Sequence, residues 1–308
     1  MESLLGLTIS SFIVTAILLI PFIDFLYRIK LRRHNQVTTD MFNKRTPLFD
    51  KFNSWKVGTP FGGGLLIIIV VTIWTLWAYG ILGVKIKPWE VFVLFFGFIG
   101  YGLLGFYDDV KKLSGHKHGF WGLRFIHKFM IQWVLAIVIA TIFFVQLKYS
   151  FIFIHGLGVV NIGIFFIPFA AFVIVSFVNA FNITDGLDGL ASGLLLISLV
   201  AFLIINSTQL DDSLGIFLSV LLGSLAAFLY FNIYKARIWL GDVGSLSLGA
   251  VLAIVGLLTG KALALVIIGG VFVLEIVSSL AQLLSKRFRG KKIIAAAPLH
   301  LYLLKKGW

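Results

Sequence analysis

Apolar residues run almost unbroken for about 20 positions at a time along this chain, and short polar segments separate the runs. They lack the two-residue alternation of a half-buried strand. A helix of about 20 residues crosses the roughly 30 Å of bilayer hydrocarbon. The pattern predicts nine spans, near 4–27, 61–84, 89–107, 125–146, 163–181, 188–206, 213–233, 244–260 and 263–285. Backbone groups in lipid must be satisfied internally, which leaves helices or a closed barrel, and non-alternating runs of this length select helices. The expectation is one all-α polytopic membrane domain over residues 1–308. Stretch 147–162 alternates enough to predict a small hairpin, and 28–60 carries no clear periodicity.

Composition supports the bilayer as solvent. Apolar residues make up 59% of the chain, with 31 Phe and 8 Trp, and mean hydropathy is +1.02, more than a soluble domain could bury. Cysteine is absent, which excludes disulfides, thiolate chemistry and Cys-ligated metal. Glu2 and the lack of a basic leader make the first run a span, not a cleaved signal. The formal charge of +13 points toward nucleic acid until its distribution is considered. With the N-terminus outside, all of the 26 Lys and Arg except Lys85, Lys87, Lys148 and Lys261 fall on one side. The positive-inside rule makes that side cytoplasmic and accounts for the charge without a nucleic-acid partner.

The same topology sorts the acids. Asp108 and Asp109, Asp185 and Asp188, and Asp242 all fall at cytoplasmic ends of spans. A carboxylate at the bilayer centre costs about 2.5–3.5 kcal/mol on insertion scales, so acids at membrane depth usually have a task. Asp108-Asp109-Val-Lys-Lys112 places two repelling carboxylates beside a lysine, an arrangement suited to proton transfer or to an ordinary charged helix end. Asn179-Ala-Phe-Asn182-Ile-Thr-Asp185-Gly-Leu-Asp188-Gly reads as a ligand loop or a polar turn between spans. Trp239-Leu-Gly241-Asp242-Val-Gly244-Ser245 offers free N–H groups to a phosphate and a carboxylate to Mg2+, or else a plain helix N-cap. Lys56-Val-Gly-Thr-Pro-Phe-Gly-Gly-Gly64 could cradle a ligand or let helices pack closely. Glu275 sits in mid-span, as a functional acid or a helix–helix hydrogen bond. Acidic clusters beside lysines at one membrane face describe a cation-assisted phosphate site.

These motifs resemble those of the polyprenyl-phosphate N-acetylhexosamine-1-phosphate transferases. Asp108-Asp109-x-x-Lys112 is similar to the family's DDxxK. Residues 179–189 resemble its NxxNxxDGxDG, and Gly241-Asp242-x-Gly244-Ser245 its GDxGS. Four further stretches resemble the muramoyl-pentapeptide branch. Lys56–Pro60 is similar to its KxGTPTMGG, and Gly122-Leu123, Lys128 and Gln132 to its GLxxxxKxxxQ. Phe272–Gln282 resembles its FVxExxSxxxQ, and Ala297-Pro298-Leu-His300 with Lys306-Gly307-Trp308 its APxHHH…KGW.

The resemblance implies Mg2+-dependent transfer of a sugar-1-phosphate from a UDP-sugar to undecaprenyl phosphate, releasing UMP. The implied donor is UDP-MurNAc-pentapeptide, and the product is lipid I for peptidoglycan. It implies a multi-pass protein of the bacterial cytoplasmic membrane, with a cytoplasmic-facing cleft, a groove for the lipid tail and a homodimer. By resemblance Asp242 and Asp185 hold Mg2+, Asp108 deprotonates or orients the lipid phosphate, and Asp109 supports it or the metal. Lys112 and Lys128 pair with phosphates, with Lys56, Asn179, Asn182, Gly241, Ser245 and His300 also on the substrates. Asp188 and Asn232 bind the nucleoside, and Trp239 offers a stacking face for uracil. The pattern departs where His300-Leu301-Tyr302 replaces three histidines and Phe61-Gly62 replaces Thr-Met. The family also has one more span beyond the position of Trp308. Transfer of GlcNAc-1-phosphate remains the alternative donor chemistry. An ion-coupled transporter is the alternative class, disfavoured because transporters place such acids near the midplane.

Overall fold

The computed structural model describes residues 2–32, 50, 57–114 and 125–307. Lys56, Gly122, Leu123 and Trp308 lie outside the described residues. The long helices are α1 (Glu2–Arg28), α2 (Gly63–Leu82), α3 (Pro88–Ser114), α4 (Phe125–Val145), α5 (Phe166–Thr184), α6 (Leu190–Gln209), α7 (Asp212–Asn232) and α8 (Gly241–Leu258). Two strands, β1 (Phe151–Ile154) and β2 (Gly158–Asn161), follow α4. After α8 come the short α9 (Ala264–Ile268), then α10 (Gly270–Arg289) and α11 (Leu299–Lys305). The strands pair antiparallel, with Phe151 opposite Asn161 and Ile154 opposite Gly158, as alternation in 147–162 predicts.

The protein is an all-α polytopic membrane protein. Among the described residues, eight helices are long and apolar enough to cross a bilayer. The ninth predicted span, 263–285, is divided after Ile268 into α9 and α10. Glu275 and the basic turn Lys286, Arg287 and Arg289 make α10 more polar than the other long helices.

Packing follows from how apolar each helix is and on which sides. α8 is buried nearly all round and packs against α2, α3 and α5, while α7 packs against α1, α2 and α6. The helices around them turn large apolar side chains outward, such as Ile9, Ile17 and Ile20 on α1 and Met130, Val134 and Ile137 on α4. Lipid is the solvent these faces require.

Without a hydrophobic driving force between helices in lipid, close packing of backbones supplies much of the association. Gly64 meets Gly244 backbone to backbone, and Gly105 lies against the carbonyl of Asp242. A methyl group at either position would overlap main chain, which cannot swing aside. Gly64→Ala is therefore expected to cost about 1–3 kcal/mol of stability through overpacking. A lowered thermal midpoint of the detergent-solubilised variant would show this; an unchanged midpoint would mean α2 and α8 are not so closely opposed.

At the opposite end of α3 from Asp108, the connections are pinned by charge. Lys87 Nζ lies 2.6 Å from Asp211 Oδ2 and 3.3 Å from Glu90 Oε1. Burial alone would raise the Asp211 carboxyl, but hydrogen bonds from Lys87 and the Leu214 N–H overcome it and hold it at about 2. This anchors the start of α7 to the start of α3.

Candidate active site

α3 continues past the expected end of its span to Ser114, so Asp108, Asp109 and Lys112 ride on its final turns instead of a following loop. Asp108 and Lys112 are one turn apart, which lets Lys112 Nζ reach Asp108 Oδ2 at 3.1 Å. α4 begins at Phe125 and brings Lys128 in from the other side, 3.0 Å from Asp108 Oδ2. Asp242 lies in the first turn of α8; the helix N-cap is Leu240, so Asp242 is not the cap. Its Oδ2 lies 2.8 Å from Lys112 Nζ and is also ion-paired with Lys128. Two lysines thus join carboxylates that stand 134 positions apart in the chain (Asp108 to Asp242).

The rest of the network fixes this arrangement. Asp109 Oδ2 accepts the Val243 N–H at 3.1 Å, holding the start of α8 against the end of α3. Asn182, on the last turn of α5, donates to Asp242 Oδ1 at 3.3 Å and to Ser245 Oγ at 2.7 Å. Gly241 permits the approach, since a Cβ there would lie 2.7 Å from Asp109 Oδ2. The stretch before α2 clasps the same turn: the N–H groups of Gly62 and Gly63 donate to Trp239 O, and Trp239 N–H donates to Pro60 O. Among its described residues, the 57–64 stretch thus serves helix packing, and Lys56 itself is outside them.

The charge balance defines what the site can take. Asp108, Asp109 and Asp242 set three carboxyl groups against two lysines, Lys112 and Lys128. Phosphate-bearing ligands would add negative charge beside two lysines that already pair with carboxyl groups, which a further cation would offset. A Mg2+ ion that takes one or two carboxylates and completes its shell with substrate phosphate oxygens fits that donor set. A cage built wholly from protein does not: no group of three or more His, Cys, Asp or Glu poised on one ion occurs among the described residues. Lysine ammonium groups lie between Asp108 and Asp242. Asp185 lies at the C-terminal end of α5, its N–H bonded to Phe181 O.

Several other expected residues hold backbone. Asp188 Oδ2 accepts the Ala236 N–H at 3.1 Å. Asn232 accepts from Gly189 N–H and Ser192 Oγ and donates to Ile238 O. These contacts brace the 185–189 loop against the 233–240 segment. Asn179 donates to Gln132 Oε1 at 2.8 Å, tying α5 to α4 outside the ion-pair network. Trp239 is only 9% exposed, so it offers little open face for stacking; the clasp from Pro60 and Gly62 draws it inward. His300, at the start of α11, pairs through Nδ1 with Glu275 Oε2 at 3.0 Å.

The role of α10 was not apparent from the isolated acid in its sequence. Glu275, Ser278, Gln282 and Ser285 form a polar ladder at helical spacing. Glu275 Oε1 accepts the His300 N–H, and Ser278 Oγ accepts the Leu299 N–H. Gln282 bonds the backbone of Ile293 and Ile294, and Ser285 donates to Lys291 O. The ladder holds segment 291–300 by its main chain. The recurrence of polar residues at i, i+3, i+7 and i+10 was the available signal.

Comparison with known proteins places the site in a family. Residues 91–260 match the family model described as glycosyl transferase family 4. A phospho-N-acetylmuramoyl-pentapeptide-transferase of Bacillus pumilus is 35% identical over 301 residues, covering 97% of this chain and 89% of that protein. One from Lactiplantibacillus plantarum is 35% identical over 258 residues, covering 84% and 79%. One from Clostridium botulinum is 32% identical over 253 residues, covering 82% and 76%. With identity at this level sustained over more than two thirds of each relative, the chain belongs to glycosyl transferase family 4, among its phospho-N-acetylmuramoyl-pentapeptide-transferases.

Proposed function

We propose that the protein transfers phospho-N-acetylmuramoyl-pentapeptide from its UDP-sugar to undecaprenyl phosphate, giving lipid I and UMP at the cytoplasmic face of the membrane. The observation that carries this reading is the joining of Asp108 and Asp242 by two shared lysines at one end of the bundle. Such a cluster suits the meeting of two phosphates, where catalysis is mostly positioning and charge neutralisation. An oxygen of the lipid phosphate attacks the sugar-linked phosphorus, a new P–O bond forms, and the bond to the bridging oxygen breaks with that oxygen leaving on UMP. Asp108 orients the attacking phosphate or takes its proton. Lys112 and Lys128 exchange carboxylate partners for phosphate oxygens as the substrates enter. Asp109 keeps the first turn of α8 in place, and Asn182, itself bonded to Ser245, holds the Asp242 carboxylate in its orientation. Bound Mg2+, held by Asp242 with Asp185 as a second candidate, would neutralise charge on the diphosphate.

The donor is tested with purified protein, undecaprenyl phosphate and radiolabelled UDP-MurNAc-pentapeptide or UDP-GlcNAc. UMP and a lipid-linked product are expected with the first donor and require Mg2+. Product with UDP-GlcNAc alone would replace the donor assignment. Solute movement in proteoliposomes with no lipid-linked product would replace the enzyme reading itself.

A further inference from the structure

The His300 imidazole is held at one edge and unsatisfied at the other. It is 4% exposed, and its Nδ1 and its backbone N–H both bond to the Glu275 carboxylate, which is 2% exposed. The Nε2 atom is buried with no hydrogen-bond partner among the described residues. That edge faces the 185–189 loop: a Cβ built on Gly186 would lie 2.6 Å from Nε2 and 2.9 Å from Cε1. Glycine is what lets the ring reach the loop. Buried polar atoms are nearly always partnered, so an orphan aimed at a functional loop calls for a ligand.

An ionised carboxylate only accepts hydrogen bonds. Glu275 therefore requires the proton on Nδ1, and the atom turned toward Gly186 is left as a lone pair in the neutral ring. We propose that Glu275 is a positioning residue of the transfer reaction. It sets the tautomer of His300, and Nε2 accepts a hydrogen bond from a hydroxyl or amide N–H of the donor sugar when the donor occupies the Asp185–Gly189 loop. The polar ladder of α10 serves this end by docking the segment that carries His300. The proposal deepens the transferase reading and rests on it.

The conservative variant separates positioning from support. Glu275→Gln keeps both bonds, with the amide oxygen accepting the His300 N–H and the amide NH2 donating to Nδ1. The ring proton then moves to Nε2, and the atom facing the donor changes from acceptor to donor. In 15N spectra of histidine-labelled protein, the wild-type His300 ring is expected protonated at Nδ1 and the variant ring at Nε2. The variant is expected to melt like the wild type. Its kcat/KM for the UDP-sugar should fall roughly 10–100-fold, as when partners that orient functional histidines are lost, with KM for the lipid phosphate unchanged. A wild-type ring protonated at Nε2, alone or together with Nδ1, overturns the proposal, as does a variant with wild-type kcat/KM. A loss that tracks a collapsed melting transition overturns it also and makes the ladder purely structural. Failure of the wild type to release UMP from either UDP-sugar sinks the transferase reading, while the spectra still decide the tautomer.

Discussion

Asp242→Ala is expected to abolish Mg2+-dependent UMP release, by on the order of 10³-fold or more, while the protein stays folded in the membrane. The loss follows from position. Asp242 Oδ2 is shared by both lysines, and Oδ1 takes the Asn182 amide, so this one carboxylate meets helices α3, α4 and α5. The fold should survive because the start of α8 has other anchors. Asp109 holds the Val243 N–H, and the Gly62–Gly64 clasp holds the carbonyls of Trp239 and Leu240. Radiolabelled product, size-exclusion elution and far-UV circular dichroism measure the two halves separately. Full activity in the variant would remove the metal role assigned to Asp242. Aggregation would show that the carboxylate is needed for assembly, not only for chemistry.

Lys128→Met should lower kcat/KM by about 100-fold or more, the scale seen when a charge-stabilising donor is removed from a preorganised site. Lys128 bridges Asp108 and Asp242 from α4. Methionine keeps the length of the stem and removes the charge. Two carboxylates then face one another with Lys112 alone between them, and the incoming phosphates lose a cation. Higher Mg2+ should recover part of the activity, because a divalent ion can replace some of the missing charge. A titration of UMP release against Mg2+ tests this. Wild-type activity at low Mg2+ would mean that Lys128 only closes a structural ion pair.

Much of the site was legible because its motifs are local. Asp108 and Lys112 are one helical turn apart, and Gly241, Asp242 and Ser245 lie within a single turn of α8. Short spacing puts such groups side by side in any helix. The partnerships between motifs were not legible. Nothing in the sequence pairs Lys128 with Asp242, and nothing shows that Asp188 and Asn232 would hold backbone rather than stand open. Trp239 illustrates the limit from the other side. Its residue type suits stacking, but burial is decided by the loop that arrives from before α2.

By itself the sequence determined the solvent, the helical class and the candidate groups. Unbroken apolar runs admit no other backbone solution in lipid, and the charge asymmetry assigns the motifs to one side. Tertiary structure decided which groups meet. Close glycine contacts between α2 and α8, and between α3 and α8, draw Asp108 and Asp242 within reach of the same two lysines. The ladder of α10 brings His300 to the loop at Gly186. Those choices depend on close backbone packing and on residues more than 100 positions apart, information that no local pattern carries.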